Sequence, residues 1–497
     1  MARISVIGAG VGGLSAAARL AKNGHKVEIF EAADQVGGKC RTEWFGDYGF
    51  DTGPSLLTIP AVYRDLFLKT GKRLEHILEL QPVDPAFNYH FADGKQVTFP
   101  NLSNPKTYLE IEKSFGSAAS KQWEKLMDRA DLMWEVSREP FIESELGSIW
   151  SLLKRKNLFK DIKQIAPFST LRDLTKHYKL DPHLSMIVDR YATYTGSDPR
   201  KAPAVLLTIA FVESTFGAWH ITGGIGQLPL ALAKRCTDLG VSTNLNCPVD
   251  EILIKNGAAI GLKLLDGREV LSDLVVTNAD SEITYNQLIK SHITAGNKDR
   301  RKLKKASKSL AGFSLLLGLD NSKANAVKLE HHNVFFPTDY DAEFDQIFDQ
   351  KVPVTDPTIY ICAPKDKSMV KGEQKEAWFV LVNAPRHDPE NGWDWSKNGD
   401  QYAKKLINKL DDLGLNVSNR LDLMKFRTPL DLENYAMAPG GSIYGTSSNS
   451  ARSAFLRASN RSKVKNLYCV GGSAHPGGGL PLVGISAEIV AEIIGRA

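Results

Sequence analysis

The sequence predicts an α/β fold built on a parallel sheet, and three features of the chain predict it. The N-terminus runs as a short β-branched strand at residues 4–7, a glycine turn, Gly8-Ala9-Gly10-Val11-Gly12-Gly13, and an alanine-rich helix over residues 14–21 that Gly24 ends. A second strand, residues 27–31, follows and finishes on an acid, Glu31. Near the other end, Cys469-Val470-Gly471-Gly472-Ser473-Ala474-His475-Pro476-Gly477-Gly478-Gly479-Leu480-Pro481-Leu482-Val483 is as glycine-rich as the first turn, so the two ends are expected to build one site.

Each part of the first unit has a physical reason. Gly8 permits the tight turn, Gly10 lets the backbone approach a pyrophosphate, and Gly13, with Gly12 beside it, lets the helix pack close, so that phosphates sit at a positive helix N-terminus. Glu31 closes the second strand where a carboxylate accepts hydrogen bonds from a ribose diol. This fingerprint is shared by NAD, NADP and FAD sites. Gly37 and Gly38, followed by Lys39 and Arg41, add a second close backbone approach with positive charge beside it, which suits the longer ribityl-flavin arm of FAD. Here the chain resembles the two-dinucleotide-binding-domain flavoproteins, which include amine oxidases, protoporphyrinogen oxidases, GDP-dissociation inhibitors and carotenoid desaturases.

The middle of the chain returns to the nucleotide side once. Gly223-Gly224-Ile225-Gly226 leads a predicted helix over residues 227–239, and Asn256-Gly257 and Asp266-Gly267 are hairpin signals in a meander that opens at residues 248–252 and closes at residues 274–280. The resemblance implies that Val249 lies beside the adenine and that Asp280 passes near the cofactor. It also implies that Gly471 and Gly472 flank the pyrophosphate and ribityl chain, and that Leu480, Pro481 and Leu482 underlie the flavin ring at a helix start. A helix N-terminus placed there stabilises negative charge that develops on the ring. His475 is read as fixing the turn before Pro476, and Cys469 as a core residue.

Within that superfamily, Tyr191-Ala192-Thr193-Tyr194-Thr195-Gly196-Ser197-Asp198-Pro199, then Gly217-Ala218-Trp219-His220, then His475-Pro476-Gly477-Gly478-Gly479-Leu480-Pro481 resemble bacterial phytoene desaturases and related carotenoid desaturases. The resemblance implies a Rossmann-type FAD-binding domain with an interleaved α+β substrate domain and a helical membrane-associating region. The expected division is residues 1–95, 216–295 and 436–497 for FAD, 96–215 for a helical substrate and membrane region, and 296–435 for the substrate domain. The implied activity is FAD-dependent insertion of C=C bonds into an acyclic polyene, with hydride passing to flavin N5 and a proton lost from the neighbouring carbon. No motif supplies a catalytic acid or base. The terminal Gly-Gly-Gly-Leu-Pro-Leu-Val differs from the Gly-Ala-Gly-Ile-Pro-Gly-Val form of many phytoene desaturases, so a 1-hydroxycarotenoid 3,4-desaturase is the alternative. An amine- or porphyrinogen-type oxidase and a non-catalytic prenyl-binding escort share the fold. Oxygen and a quinone both stand as terminal electron acceptors.

Composition is that of an ordinary globular protein. The chain has 497 residues, 42% of them hydrophobic and 24% charged, enough for two or three domains. Cys40, Cys236, Cys247, Cys362 and Cys469 are scattered, with no paired spacing, and read as reduced structural thiols with no metal expected. The chain enters its first strand with no leader, and its longest nearly apolar stretch, residues 204–212, is too short to cross a bilayer core of about 30 Å. A net charge of +5 and the lack of a recognised module argue against nucleic acid. Charge is uneven, however: residues 152–179 hold eight Lys or Arg against two Asp, and residues 298–308 hold seven against one. The second run is expected to be a solvated loop. The first overlaps residues 149–162, which mix aromatic and aliphatic residues with cations as an interfacial segment does. A long polyene gains about 0.8 kcal/mol per CH₂ in apolar surroundings, so a cytoplasmic protein attached peripherally to the inner membrane face is expected.

Overall fold

The computed structural model describes residues 1–146, 164–450 and 453–497. Strand β1 (Arg3–Ile7), helix α1 (Val11–Lys22) and strand β2 (Lys26–Phe30) form the expected strand-turn-helix-strand unit. The helix starts three residues earlier than its alanine pattern suggested, because Gly12 and Gly13 lie inside its first turn rather than before it. β1 is central in a five-stranded parallel sheet ordered Leu467–Cys469, Leu274–Thr277, β1, β2, Ser242–Asn244. Strands from three distant stretches therefore close one sheet, which is why the chain's two ends meet.

Both faces of that sheet are covered, as a parallel sheet requires. On one face Ile4, Val6 and Ile29 pack against Leu14, Ala17 and Ala18 of α1, Leu228 and Leu232 of the helix Gln227–Asp238, and Ala487 and Val490 near the C-terminus. On the other, Ile7, Phe30 and Val275 meet Ile252, Ala259 and Leu262 of the predicted meander, which is antiparallel.

A second, seven-stranded sheet runs Leu421–Arg427, Ala311–Asp320, Lys375–Ala384, Ile359–Cys362, His332–Phe335, Phe87–His90, Gln96–Phe99. Its one parallel pairing joins His332–Phe335 to Phe87–His90. The strand at 87–90, grouped by sequence with the nucleotide side, thus belongs to the other sheet. Phe87 and Tyr89 are the reason: both are fully buried in the helical core beyond that sheet, together with Trp123, Leu184 and Tyr191.

Helices build this core over the sheet, among them α2 (Ser117–Phe141), α3 (Pro182–Thr193) and α4 (Thr208–Phe216). Asp181 caps α3 by accepting the His183 N–H. The basic run at 298–308 is mostly helical, Asn297–Lys305, and not the expected loop. Leu303 and Asp299 turn inward, Leu303 into the core and Asp299 to accept the Lys463 N–H, while Lys304 and Lys305 face water. The segment 149–162 lies outside the described residues. Among those described, no helix is long and apolar enough to cross a membrane. The chain ends in helix α5 (Leu480–Ile494).

Candidate active site

The glycine turn is packed more tightly than any side chain allows. A Cβ on Gly13 would lie 2.1 Å from the Gly8 carbonyl oxygen, and one on Gly12 would lie 2.5 Å from Asn278 Oδ1 and 3.0 Å from Gly471 Cα. The first turn, Asn278 and the C-terminal glycines therefore interlock. Gly37 joins them, donating its N–H to the Ala9 carbonyl at 2.9 Å.

A cavity of about 1430 Å³ opens beside these loops. Of the residues singled out by sequence, Gly8, Gly10, Gly12, Glu31, Gly37, Gly38, Lys39, Arg41, Val249, Asp280, Gly472, Leu480, Pro481 and Leu482 line it. Gly13 and Gly471 stand behind the wall, each pressed against backbone or Asn278, with no room for a side chain. Leu480 and Pro481 bring the N-terminus of α5 to the cavity, and Tyr63 Oη donates to the Leu480 carbonyl at 2.6 Å.

Charge around the cradle is arranged in depth. The Glu31 carboxylate accepts the Ala9 N–H at 2.6 Å and the Ala33 N–H at 2.9 Å. Lys39 Nζ donates to the Ser442 and Ile443 carbonyls, and burial holds its pKa below the usual lysine range. Arg457 donates to the Tyr444, Thr446 and Gly472 carbonyls, fixing the C-terminal loop to its neighbour, and burial pushes it down to about 10. Burial raises Asp280, against the attraction of Lys39, Lys308, Arg386 and Arg457. His475 holds the turn by four bonds: its N–H to Ala458, its carbonyl from Asn460 and Ser486, and its ring Nε2 at 3.0 Å from the Ser144 carbonyl. Burial lowers its pKa to about 4, so the ring is neutral and donates to Ser144. Cys469 is buried in its strand, 3.6 Å from Tyr285 Oη.

A second group, which no sequence motif marked, is brought together from α3 and α4. Glu213 accepts Tyr191 Oη at 2.8 Å and Tyr194 Oη at 3.5 Å, and Tyr194 accepts in turn from Arg190 Nη1. Arg190, Tyr194 and Glu213 line the cavity. Burial raises Glu213 to about 7, with Arg190 pulling the other way. The available signal was faint: an arginine and a tyrosine four residues apart, and one acid directly after the apolar stretch 204–212. Beyond them the wall becomes apolar, with Trp134, Phe141, Ile142, Val205, Ile209 and Val212, and it ends at Phe168, which is 96% exposed.

Behind the cavity-lining Tyr360, His331, His332 and Cys362 bring possible metal-ligand atoms within 4.8 Å of one another, a grouping the sequence did not suggest. Burial keeps both imidazoles neutral, and His332 Nδ1 lies 2.8 Å from Tyr360 Oη.

Comparison with known proteins gives this geometry a family. Residues 11–292 match the flavin containing amine oxidoreductase family. The chain is 31% identical to a hydroxyneurosporene desaturase of Rubrivivax gelatinosus and 32% identical to a zeta-carotene-forming phytoene desaturase of Myxococcus xanthus, each over 99% of this chain and 93% of the relative. It belongs to the carotenoid desaturase family. A 4,4'-diapolycopene oxygenase of Methylomonas sp is also similar, at 29% identity over 99% of this chain and 98% of that protein. An oxidoreductase of Methanosarcina mazei shares the fold with a TM-score of 0.63 at 17% identity, over 99% of this chain and all of that one. As a carotenoid desaturase family member the chain is an FAD-dependent oxidoreductase, and its residues fit that cofactor: the interlocked glycine loops leave backbone as the cavity wall, and the Glu31 carboxylate keeps lone pairs beyond the two it uses.

Proposed function

We propose that the protein desaturates an acyclic carotenoid, with FAD as its cofactor. The observation that carries this reading is the continuity of the cavity. One end is a glycine cradle with charge behind it, and the other is an apolar channel that suits a hydrocarbon chain. When bound, FAD supplies the hydride acceptor. In this reading Gly8, Gly10, Gly12, Glu31, Gly37, Gly38, Lys39 and Arg41 hold its ADP and pyrophosphate side, with Val249 beside the adenine. Gly472, Leu480, Pro481 and Leu482 hold the flavin side, Asp280 passes near the cofactor, and Gly13 and Gly471 permit the close packing.

Removal of hydride leaves an allylic cation whose neighbouring proton is acidic, so the base need only be modest. Glu213 suits that task. It lies on the cavity wall, two tyrosine hydroxyls orient it, and a pKa near 7 keeps it partly ionised at neutral pH. Residues 1–86, 216–295 and 436–497 then form the cofactor side, and 87–215 and 296–435 the substrate side.

A carotenoid must enter from lipid, and the channel supports a mouth at the membrane face. Phe168 and Ile142 lie where the channel meets the surface, next in sequence to the cation-rich segment 149–162. Attachment to the inner face of the membrane follows from this reading. The test is purified protein with FAD and an electron acceptor on liposomes carrying phytoene or a 1-hydroxycarotenoid. A red shift of the visible bands is expected, with a product lighter by a pair of hydrogens. A product that gains oxygen instead assigns the oxygenase chemistry of the Methylomonas relative, and an unchanged spectrum with both substrates sinks the desaturase reading.

A further inference from the structure

Arg190 is an unusual residue for the wall of a hydrocarbon channel. Its side chain is buried at 7% exposure, and moving a guanidinium out of water costs several kcal/mol unless partners compensate. Among the described residues no carboxylate lies within ion-pair distance of it. Its compensation is a set of aromatic faces: Phe87 at 5.1 Å, Tyr194 at 4.9 Å and Tyr360 at 5.6 Å from the guanidinium carbon. Burial works against its charge and Glu213 attracts it, and a guanidinium keeps its proton throughout the ordinary pH range.

The donors of this cation are mostly unspent. Nη1 donates to Tyr194 Oη, and the guanidinium has no other hydrogen bond among the described residues. Arginine can only donate, so an uncommitted edge facing an apolar cavity calls for an acceptor that arrives with the ligand. A plain polyene has none. Glu213, at the far side of Tyr194, offers acceptor lone pairs in either protonation state. A group that both accepts from Arg190 and donates toward Tyr194 or Glu213 is a hydroxyl, whereas a ketone serves only the arginine.

We infer that Arg190 and Tyr194 form a subsite for an alcohol oxygen carried by the polyene, so that the preferred substrate is a hydroxylated acyclic carotenoid and not the bare hydrocarbon. The inference rests on the desaturase reading for its chemistry and deepens it by naming the substrate class. Glu213 and Tyr191 fix Tyr194 from the side away from the arginine, which gives the subsite a set geometry.

The test compares a hydroxylated acyclic carotenoid with the same polyene lacking the hydroxyl, both in neutral liposomes, on FAD-loaded protein. Wild type is expected to favour the hydroxylated form in kcat/KM by about ten- to a hundredfold, the range of one hydrogen bond to a charged group. Arg190→Met keeps length and apolar packing but removes the donors, and it should narrow that ratio to below about threefold, chiefly through KM. Tyr194→Phe should narrow it less. Retained flavin absorbance reports that each variant is folded. Equal use of both polyenes by wild type, or an unchanged ratio in Arg190→Met, overturns the subsite. A second readout, the amount of each polyene that stays with the protein after removal of the liposomes, needs no turnover. If neither polyene is converted while retention still favours the hydroxylated one in wild type and not in Arg190→Met, the desaturase reading fails and the subsite stands.

Discussion

At the scale of single residues, the acid in the channel is the decisive feature. Glu213 has a carboxylate's pKa raised to about 7 by burial, so the fraction able to take a proton grows as pH rises through that value. Turnover should therefore climb between about pH 6 and pH 8 and then level off, if the acid acts as proton acceptor. Glu213→Gln keeps the Tyr191 hydrogen-bond partner in shape but removes the base, and it should lower kcat by about ten- to a hundredfold, at the modest end of base catalysis. It should also abolish the inflection near pH 7, measured by initial rates with saturating carotenoid. An unchanged rate and pH profile would leave Glu213 a structural partner of Tyr191 and Tyr194. Such a role was hidden in the sequence: Arg190 and Glu213 sit on different helices, and nothing in their spacing says that a third residue, Tyr194, bridges them. The place of Glu31 on the cavity wall, by contrast, was legible, because it closes a strand one turn and one helix after the glycines.

At the scale of elements, the same distinction holds. The unit β1-α1-β2 was legible because its logic is local: small residues where helix meets strand, a glycine at each turn, an acid at the strand end. The strand Phe87–His90 was not, since its alternation fits either sheet and only the distant His332–Phe335 decides which one it joins. The helix at 297–305 was missed for a related reason: Asp299 and Leu303, four apart, point to buried partners that the basic neighbours mask in the sequence. The legible part makes a firm prediction. In Gly13→Ala the new methyl would lie 2.1 Å from the Gly8 carbonyl, and neither group is a flexible side-chain end that could swing away. The helix must shift from the strand, at a cost of about 1–3 kcal/mol in stability, read from denaturant unfolding. Since α1 carries the cradle, flavin affinity should fall with it. Gly46→Ala is the control, with open space around the added Cβ but a positive φ of 60°, so it should show backbone strain alone and leave flavin binding intact.

For the whole molecule, the arrangement makes sense as a route. In the proposed reading the carotenoid enters at one surface, passes an apolar wall, meets the Arg190–Tyr194–Glu213 group, and reaches the glycine-walled end, where loops from both ends of the chain would hold FAD. The proposed entrance is the least local feature, assembled from α2, residues 165–168 and residues 205–212, stretches that nothing in the sequence pattern joins. Phe168 offers the sharpest test of its position. At 96% exposure the ring contributes little to folding, so its replacement should not change stability beyond about 0.5 kcal/mol. If the mouth rests on a bilayer, however, the ring enters the acyl boundary, where its burial is worth about 1.5–3 kcal/mol. Phe168→Glu should then weaken partition onto neutral liposomes by about tenfold or more in a flotation assay. It should also raise the KM for carotenoid in liposomes without lowering flavin content. Adding anionic lipid should strengthen binding of both proteins, and about 1 M salt, with a Debye length near 3 Å, should remove that added part while leaving the Phe168 effect in place. Equal flotation of the two proteins under all of these conditions would move the membrane contact away from this mouth and leave the channel to be filled by some other route.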